Sequence, residues 1–163
     1  MQFDAILALG ANIGDKRGNI AEALRLIEAA GDVRVLLRSR DFKTPPWGKT
    51  DQPWFVNACA GVATQLKPHA LLERCLAAER KLGRVRSEKW GPRTIDIDVL
   101  VHKDGQVEDD TLVLPHPRIT ERAFVLAPLS DIAPDLVLSG KPVSDWLLEA
   151  DTTGVEPFDS EED

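Results

Sequence analysis

Cysteine is nearly absent: the 163 residues include two, Cys59 and Cys75. Their spacing fits neither a metal nor a redox motif, so both read as buried, reduced thiols of a cytosolic protein. No apolar run approaches the ~20 residues needed to cross a bilayer. The start, Met-Gln-Phe-Asp, lacks a basic stretch followed by an apolar one. No signal peptide or membrane contact is therefore expected, and the location reads as cytoplasmic. Basic residues are outnumbered, 20 against 27 acids, and a net charge of −7 argues against a nucleic-acid partner. There is no internal repeat or low-complexity core. The early glycine turn, Gly10-Ala-Asn-Ile-Gly14, lacks the Gly-Lys-Ser/Thr of a P-loop and reads as an ordinary strand-to-helix connection. The remaining composition, 43% hydrophobic and 29% charged, is that of a globular chain able to bury a core without staples.

The charge is unevenly spread. Residues 151–163 carry six acids and no base, which leaves the rest nearly neutral. They read as a solvated, disordered tail after a single domain spanning 1–150. From Arg80 to Arg93, six bases face one acid, Glu88. So local a basic focus suits a small anionic ligand better than a duplex.

Period-two alternation predicts a strand over Phe3 to Leu9, and Asp15 can cap the helix carrying Ile20, Leu24 and Ile27, with Gly31 stopping it. A second strand is expected over Val33 to Lys43, then a stiff loop from Thr44 to Pro53. A third runs from Trp54 to Ala63, with Phe55, Asn57, Cys59 and Gly61 on one face. Pro68 opens a helix that Gly83 closes, with Leu72, Cys75, Leu76 and Leu82 on its apolar side. Glu79 falls among them and needs a partner, most simply a nearby arginine. Lys103-Asp-Gly-Gln106 offers a hairpin turn. His69 and His102 read as surface residues, whereas prolines on both sides fix the backbone of His116. A helical turn bearing Arg122 and Phe124 is expected to end or kink at Pro128, and a short helix over Val143 to Glu149. Strand-helix-strand twice over predicts an α+β, ferredoxin-like βαββαβ antiparallel sheet with helices on one face, plus a C-terminal hairpin and helical additions.

The chemistry concentrates between Arg84 and Val101. Ile95, Ile97, Val99 and Val101 point to one side of a strand, Asp96, Asp98 and Leu100 to the other. Two carboxylates so placed have Cα atoms about 6.5–7 Å apart and repel, unless a hard divalent cation such as Mg²⁺ lies between them. Arg84, Arg86, Lys89 and Arg93 just upstream suit phosphate oxygens. An exposed strand edge with protective Asp residues is the competing reading. Asn57 in mid-strand either pairs inside the core or reads the edge of a heterocycle, with Phe55 stacking beside it.

Several stretches together resemble the 6-hydroxymethyl-7,8-dihydropterin pyrophosphokinase family. They are Thr-Pro-Pro (44–46), Asp-Gln-Pro-x-Phe-x-Asn (51–57), Leu-Gly-Arg-Val-Arg (82–86), Trp-Gly-Pro-Arg-Thr-Ile-Asp-Ile-Asp-Val-Leu (90–100) and Pro-His-Pro-Arg (115–118), in the family's order. The resemblance implies transfer of pyrophosphate from the co-substrate ATP to the dihydropterin hydroxymethyl group, releasing AMP, by a monomer. It implies that Asp96 and Asp98 ligate two Mg²⁺ ions. Arg84, Arg86 and Arg93 would act with them in catalysis. Glu79, Arg84, Trp90, Arg93, Val99 (through its backbone), His116 and Arg122 would bind ATP. Thr44, Pro45, Trp47, Phe55, Asn57, Asp96 and Phe124 would form the pterin pocket. Trp47, Phe55, Leu76 and Pro117 depart from residues common in some members. On residues alone, another Mg-dependent phosphoryl or nucleotidyl transferase and a non-catalytic, RNA-binding module of this fold type stay open.

Overall fold

The computed structural model describes residues 2–46, 53–83 and 94–158. The first half contains β1 (Ala5–Ala11), α1 (Lys16–Glu28), β2 (Val33–Arg38), β3 (Phe42–Thr44), β4 (Phe55–Thr64), α2 (Pro68–Lys81) and β5 (Asp96–His102). Then follow β6 (Val107–Glu108), β7 (Val113–Leu114), a 3-10 turn (Ile119–Glu121), α3 (Ala123–Ile132), β8 (Val137–Leu138), β9 (Lys141–Pro142), α4 (Val143–Glu149) and β10 (Glu156–Pro157).

β1 is the strand around which the sheet is laid. It pairs antiparallel with β4 on one side and β5 on the other, and β4 carries β2 and β3 end to end along its far edge. The order of β1, β4, β2 and β5, with the crossover helices α1 and α2, is the ferredoxin-like βαββαβ arrangement. Alternation gives the sheet two distinct faces. Leu7, Leu9, Val56, Ala58, Ile97 and Val99 pack with Ile20, Ile27, Leu71 and Cys75 of the two helices. Ile6, Cys59 and Leu100 look the other way, where Val125, Leu126 and Leu129 of α3 cover part of that face. The rest of it carries the polar residues described below.

The helix ends behave as their chemistry demands. Asp15 accepts the Gly18 N–H at 3.0 Å to cap α1, and Gly31 and Gly83 take positive φ (84° and 75°) beyond the ends of α1 and α2. The buried side of α2 is Leu71, Cys75, Ala78 and Glu79, with Leu72 and Leu76 only half-buried, so the expected stripe is rotated.

Four further expectations change for physical reasons. The strand predicted over Val33 to Lys43 is two strands. Three residues, 39–41, lie between the pairs Arg38↔Ala60 and Phe42↔Asn57, where β4 spends two, and the Ser39 hydroxyl accepts the Cys59 N–H at 2.9 Å across this bulge. A second bulge, between Leu7↔Val99 and Ile6↔Val101, turns Val101 toward α3 beside Leu100, away from Ile95, Ile97 and Val99. His102 is consequently buried rather than exposed: Nε2 donates to Leu66 O at 2.9 Å and Nδ1 accepts the Asp104 N–H at 3.0 Å. Pro128 does not end the helix at that point. α3 runs through it to Ile132, because Leu126, Ala127, Leu129 and Ile132 are all buried there and offset one lost backbone bond.

The C-terminal segment also differs from expectation. Residues 151–158, read as part of a disordered tail, include β10, which pairs antiparallel with β3, and Phe158, which is 7% exposed in the main core. A run of acids around this strand says nothing about the one aromatic that follows it. β6 and β7 form their own hairpin, and the Asp-Gly turn at 104–105 leads out of β5 into it.

Gly61 sets a packing limit on the α3 side of the sheet. A Cβ there would lie 2.5 Å from Cγ of the Phe3 ring. Gly61→Ala should lower stability by about 1–3 kcal/mol through overpacking. Thermal denaturation checks this, and an unchanged midpoint would show that Phe3 moves aside freely.

Candidate active site

On the face of the sheet away from α1 and α2, the register builds a polar row. Phe42 pairs with Asn57, Asn57 with Gly10, and Gly10 with Asp96. The next row brings Cys59, Ala8 and Asp98 together. Asn57 and Asp96 are thus two strand spacings apart, about 10 Å, with only a glycine between them.

Gly10 is required. A Cβ at this position would lie 2.5 Å from Asn57 Oδ1 and 3.9 Å from a ring carbon of Phe55. The Asn57 amide therefore lies over the bare glycine backbone. Its Nδ2 donates to Thr44 Oγ1 at 2.7 Å, an orientation assigned from this network, and so its carbonyl oxygen is the atom presented above Gly10. Thr44 is buried, and Phe55 pairs with it in register. An amide acceptor beside a half-buried aromatic ring suits a flat ligand with N–H donors on its edge. Phe124 lies in the first turn of α3, and the Arg122 guanidinium stands 5.6 Å from its ring centre.

The other half of the site is charged. Asp96 and Asp98 share a face, both half-buried. Glu79, 3% exposed, reaches from α2 and accepts the Ile97 N–H at 2.7 Å. The main-chain group between the two carboxylates is thereby fixed to a helix at the outer edge of β5. Because that N–H faces outward, the main chain of Val99, two residues on, lies on the same edge, while its side chain is buried toward the helices.

Arg122 and His116 complete the wall. Burial pushes the pKa of Arg122 down and Asp98 opposes this, with Arg118 lowering it further and Asp96 and Glu121 raising it. Burial likewise pushes His116 down, to about 4, helped by Arg122 and Arg118 and opposed by Asp96. His116 is thus neutral at pH 7. Its Nδ1 accepts the Arg118 N–H at 3.3 Å, which leaves the proton on Nε2 as a donor. Its backbone N–H donates to Leu100 O at 2.8 Å, tying the Pro-His-Pro stretch to β5.

Among the described residues, no group of three His, Cys, Asp or Glu side chains could cage a metal. Two carboxylate oxygens donors on one open face fit Mg²⁺ all the same. That ion keeps several non-protein ligands and is commonly held by one or two carboxylates plus substrate phosphates.

The structure therefore brings together Thr44, Asn57 and Phe55 along β3 and β4, Asp96 and Asp98 on β5, and His116, Arg122 and Phe124 near the start of α3. Pro45 is exposed at the end of β3. Trp47, Arg84, Arg86, Trp90 and Arg93 lie outside the described residues. Gly10 was missed. The signal was present, since a glycine at the end of an apolar strand often marks a close approach. Asn12, fully buried with Nδ2 donating to Pro53 O at 3.2 Å, was missed too.

The depressed pKa of His116 has a consequence for stability. Between pH 6.5 and 4 the unfolded chain takes up a proton at this residue and the folded chain does not. Its contribution is therefore intact above pH 6.5 and is lost as pH falls toward 4. His116→Asn removes this loss, so the stability gap between wild type and variant should shift in the variant's favour from pH 7 to pH 5. Urea denaturation at both values measures it. A constant gap would show that His116 titrates alike in both states.

A model of the 7,8-dihydro-6-hydroxymethylpterin-pyrophosphokinase (HPPK) family matches residues 6–134. The chain is 54% identical over 152 residues to a 2-amino-4-hydroxy-6-hydroxymethyldihydropteridine pyrophosphokinase of Methylorubrum extorquens, covering 93% of this chain and 96% of that one. It is 42% identical over 128 residues to the enzyme of that name from Bacillus subtilis, covering 78% and 77%. Among solved structures, an HPPK-DHPS in complex with substrates superposes with a TM-score of 0.71 at 13% identity, over 89% of this chain and 42% of that longer one. The last likeness speaks for the fold. With the family model spanning most of the chain and a relative more than half identical along nearly its whole length, this protein is a member of the HPPK family.

Proposed function

We propose that the protein transfers the β,γ-pyrophosphoryl group of ATP to the hydroxymethyl group of 6-hydroxymethyl-7,8-dihydropterin, releasing AMP, a step of folate biosynthesis. The observation that carries this is the row across the sheet. An amide acceptor over bare glycine, suited to a heterocycle's N–H edge, lies about 10 Å from a carboxylate pair suited to a phosphate-bound cation.

The pterin lies on the Gly10 side. Asn57 Oδ1 accepts from its amide edge, Thr44 holds that amide in place, and Phe55 and Phe124 stack on the ring faces. Pro45 lies at the rim, Asp96 borders the reacting end, and Trp47 is assigned to pterin binding by the same reading. Asp96 and Asp98 hold two Mg²⁺ ions, which when bound neutralise charge on the transferring phosphoryl oxygens. On the nucleotide side, His116 donates from Nε2, Arg122 supplies a fixed positive charge and Val99 offers main-chain groups to the base. Glu79 acts on the same side, where its hold on Ile97 keeps both carboxylates in register. Arg84, Arg86, Trp90 and Arg93 are assigned by this reading to ATP binding, with the arginines acting in catalysis chiefly as charge develops.

Little covalent work falls to the protein. The pterin hydroxyl attacks the β-phosphorus in line and AMP leaves, so the rate derives from positioning and charge stabilisation. Such chemistry needs no second subunit, and a cytoplasmic monomer is part of the proposal. Among the described residues no helix is long and apolar enough to cross a membrane.

AMP release from MgATP should require the dihydropterin. Asp96→Ala and Asp98→Ala should each lower kcat/KM by about a hundredfold or more while circular dichroism stays native. AMP or ADP formed at equal rate without the pterin, or near-normal turnover in either variant, would overturn the assignment.

Gly10→Ala tests the heterocycle side separately. The added methyl displaces the Asn57 amide, so KM for the pterin should rise by about tenfold, the cost of an order of one hydrogen bond. KM for ATP should change much less. Equal change in both would place Gly10 outside the pterin pocket.

A further inference from the structure

Residues 154–158 lie beyond the stretch the family model matches, yet they are built into the sheet. β3 is three residues long, and a strand so short on the edge of a sheet is poorly held by one neighbour. β10 supplies the other side: Glu156 pairs with Lys43, Pro157 with Phe42, and the Phe158 N–H donates to Asp41 O at 2.8 Å. The Phe158 ring then turns into the core, 5.5 Å from Trp54, the residue just before Phe55. At the other end of the segment, Gly154 adopts φ +80° and packs against Pro45, where a Cβ would sit 3.4 Å from the proline ring. These contacts fall on both approaches to the pocket, β3 with Pro45 on one side and the start of β4 on the other.

We propose that the C-terminal segment 154–158 is a positioning element of the heterocycle pocket. By pairing with β3 and anchoring Phe158 against Trp54, it holds Thr44 where its hydroxyl orients the Asn57 amide. The bond from Asn57 Nδ2 to Thr44 Oγ1, 2.7 Å, is the link through which it acts. A drift of β3 away from β4 breaks this bond and frees the amide to turn its donor end toward the ligand. Among the described residues, the contacts of the segment fall on β3, Asp41, Pro45, Trp54 and Arg17, away from Asp96 and Asp98, so its effect falls on the pterin and spares the nucleotide.

This inference rests on the proposed function, and the experiment separates the two. Dihydropterin binding is titrated calorimetrically with a non-hydrolysable ATP analogue and Mg²⁺ present, and the analogue is titrated alone. Both are done below the unfolding transition of every variant. The chain ending at Thr153 and the variant Phe158→Ala should bind the pterin at least tenfold more weakly, with Kd for the analogue changed less than twofold. Phe158→Leu, which restores apolar volume, should recover most of the affinity. Should the shortened chain not fold, Phe158→Ala carries the same comparison. Combining Phe158→Ala with Thr44→Val should weaken pterin binding no more than Thr44→Val alone, because both act through one bond. Additive losses, equal loss for both ligands, or unchanged pterin affinity would overturn the positioning role. If the wild-type chain itself neither binds the pterin nor forms AMP, the proposed function fails and this inference with it.

Discussion

Gly10 contributes no side chain, and four strands are arranged around that gap. Asn57 lies on one side of it and Asp96 on the other, because antiparallel register across β1 permits no other neighbours. The amide oxygen sits 2.5 Å from where a Cβ would be, so the smallest possible side chain at this position already excludes the observed arrangement. The reverse face of the same strand is a closed apolar layer in which Leu7 and Leu9 are at most 1% exposed. Burial of that layer against α1 and α2 makes the floor rigid. A one-residue slip of β1 would exchange the faces and put leucine where the ligand belongs.

The charged half sets buried charges of opposite sign against one another. Arg122 is 8% exposed and faces two carboxylates, while His116 nearby stays neutral because burial and Arg122 disfavour a second positive charge. A neutral imidazole with its proton on Nε2 donates a hydrogen bond without adding to the local repulsion. Glu79 belongs to the same arrangement. Its buried carboxylate accepts the main-chain N–H between Asp96 and Asp98. Removing its acceptor would leave that group unpaired at a cost of about 1–3 kcal/mol.

The sheet's outer edge is closed by the chain's own end. β10 on β3, Phe158 on Trp54 and Gly154 on Pro45 form a continuous brace along the pocket's far side. Arg17 joins it to α1, with its Nε 2.9 Å from Asp41 and its guanidinium 5.0 Å from the Phe158 ring.

Much of the architecture was legible in the sequence because it depends on local periodicity. Alternation marked β1, β4 and β5, capping residues bounded α1 and α2, and Asp96 with Asp98 had to share a face once a strand was assumed. The twofold strand-helix-strand order carried the sheet's topology with it. Bulges were invisible, since they arise where two strands of unequal length are forced into one ladder; so Val101 and His102 exchanged faces and the second strand divided at Ser39. The rotation of α2 that buries Leu71 and Ala78, and the Ile97 N–H as a partner for Glu79, came from how the helix docks. The meeting of Asn57, Gly10 and Asp96, distant in sequence, is a matter of register, which no single strand's pattern specifies. Charge composition pointed to a solvated end for the chain, and tertiary packing decided otherwise up to Phe158, because one buried aromatic and a free strand edge outweigh the solvation of a few acids beside them.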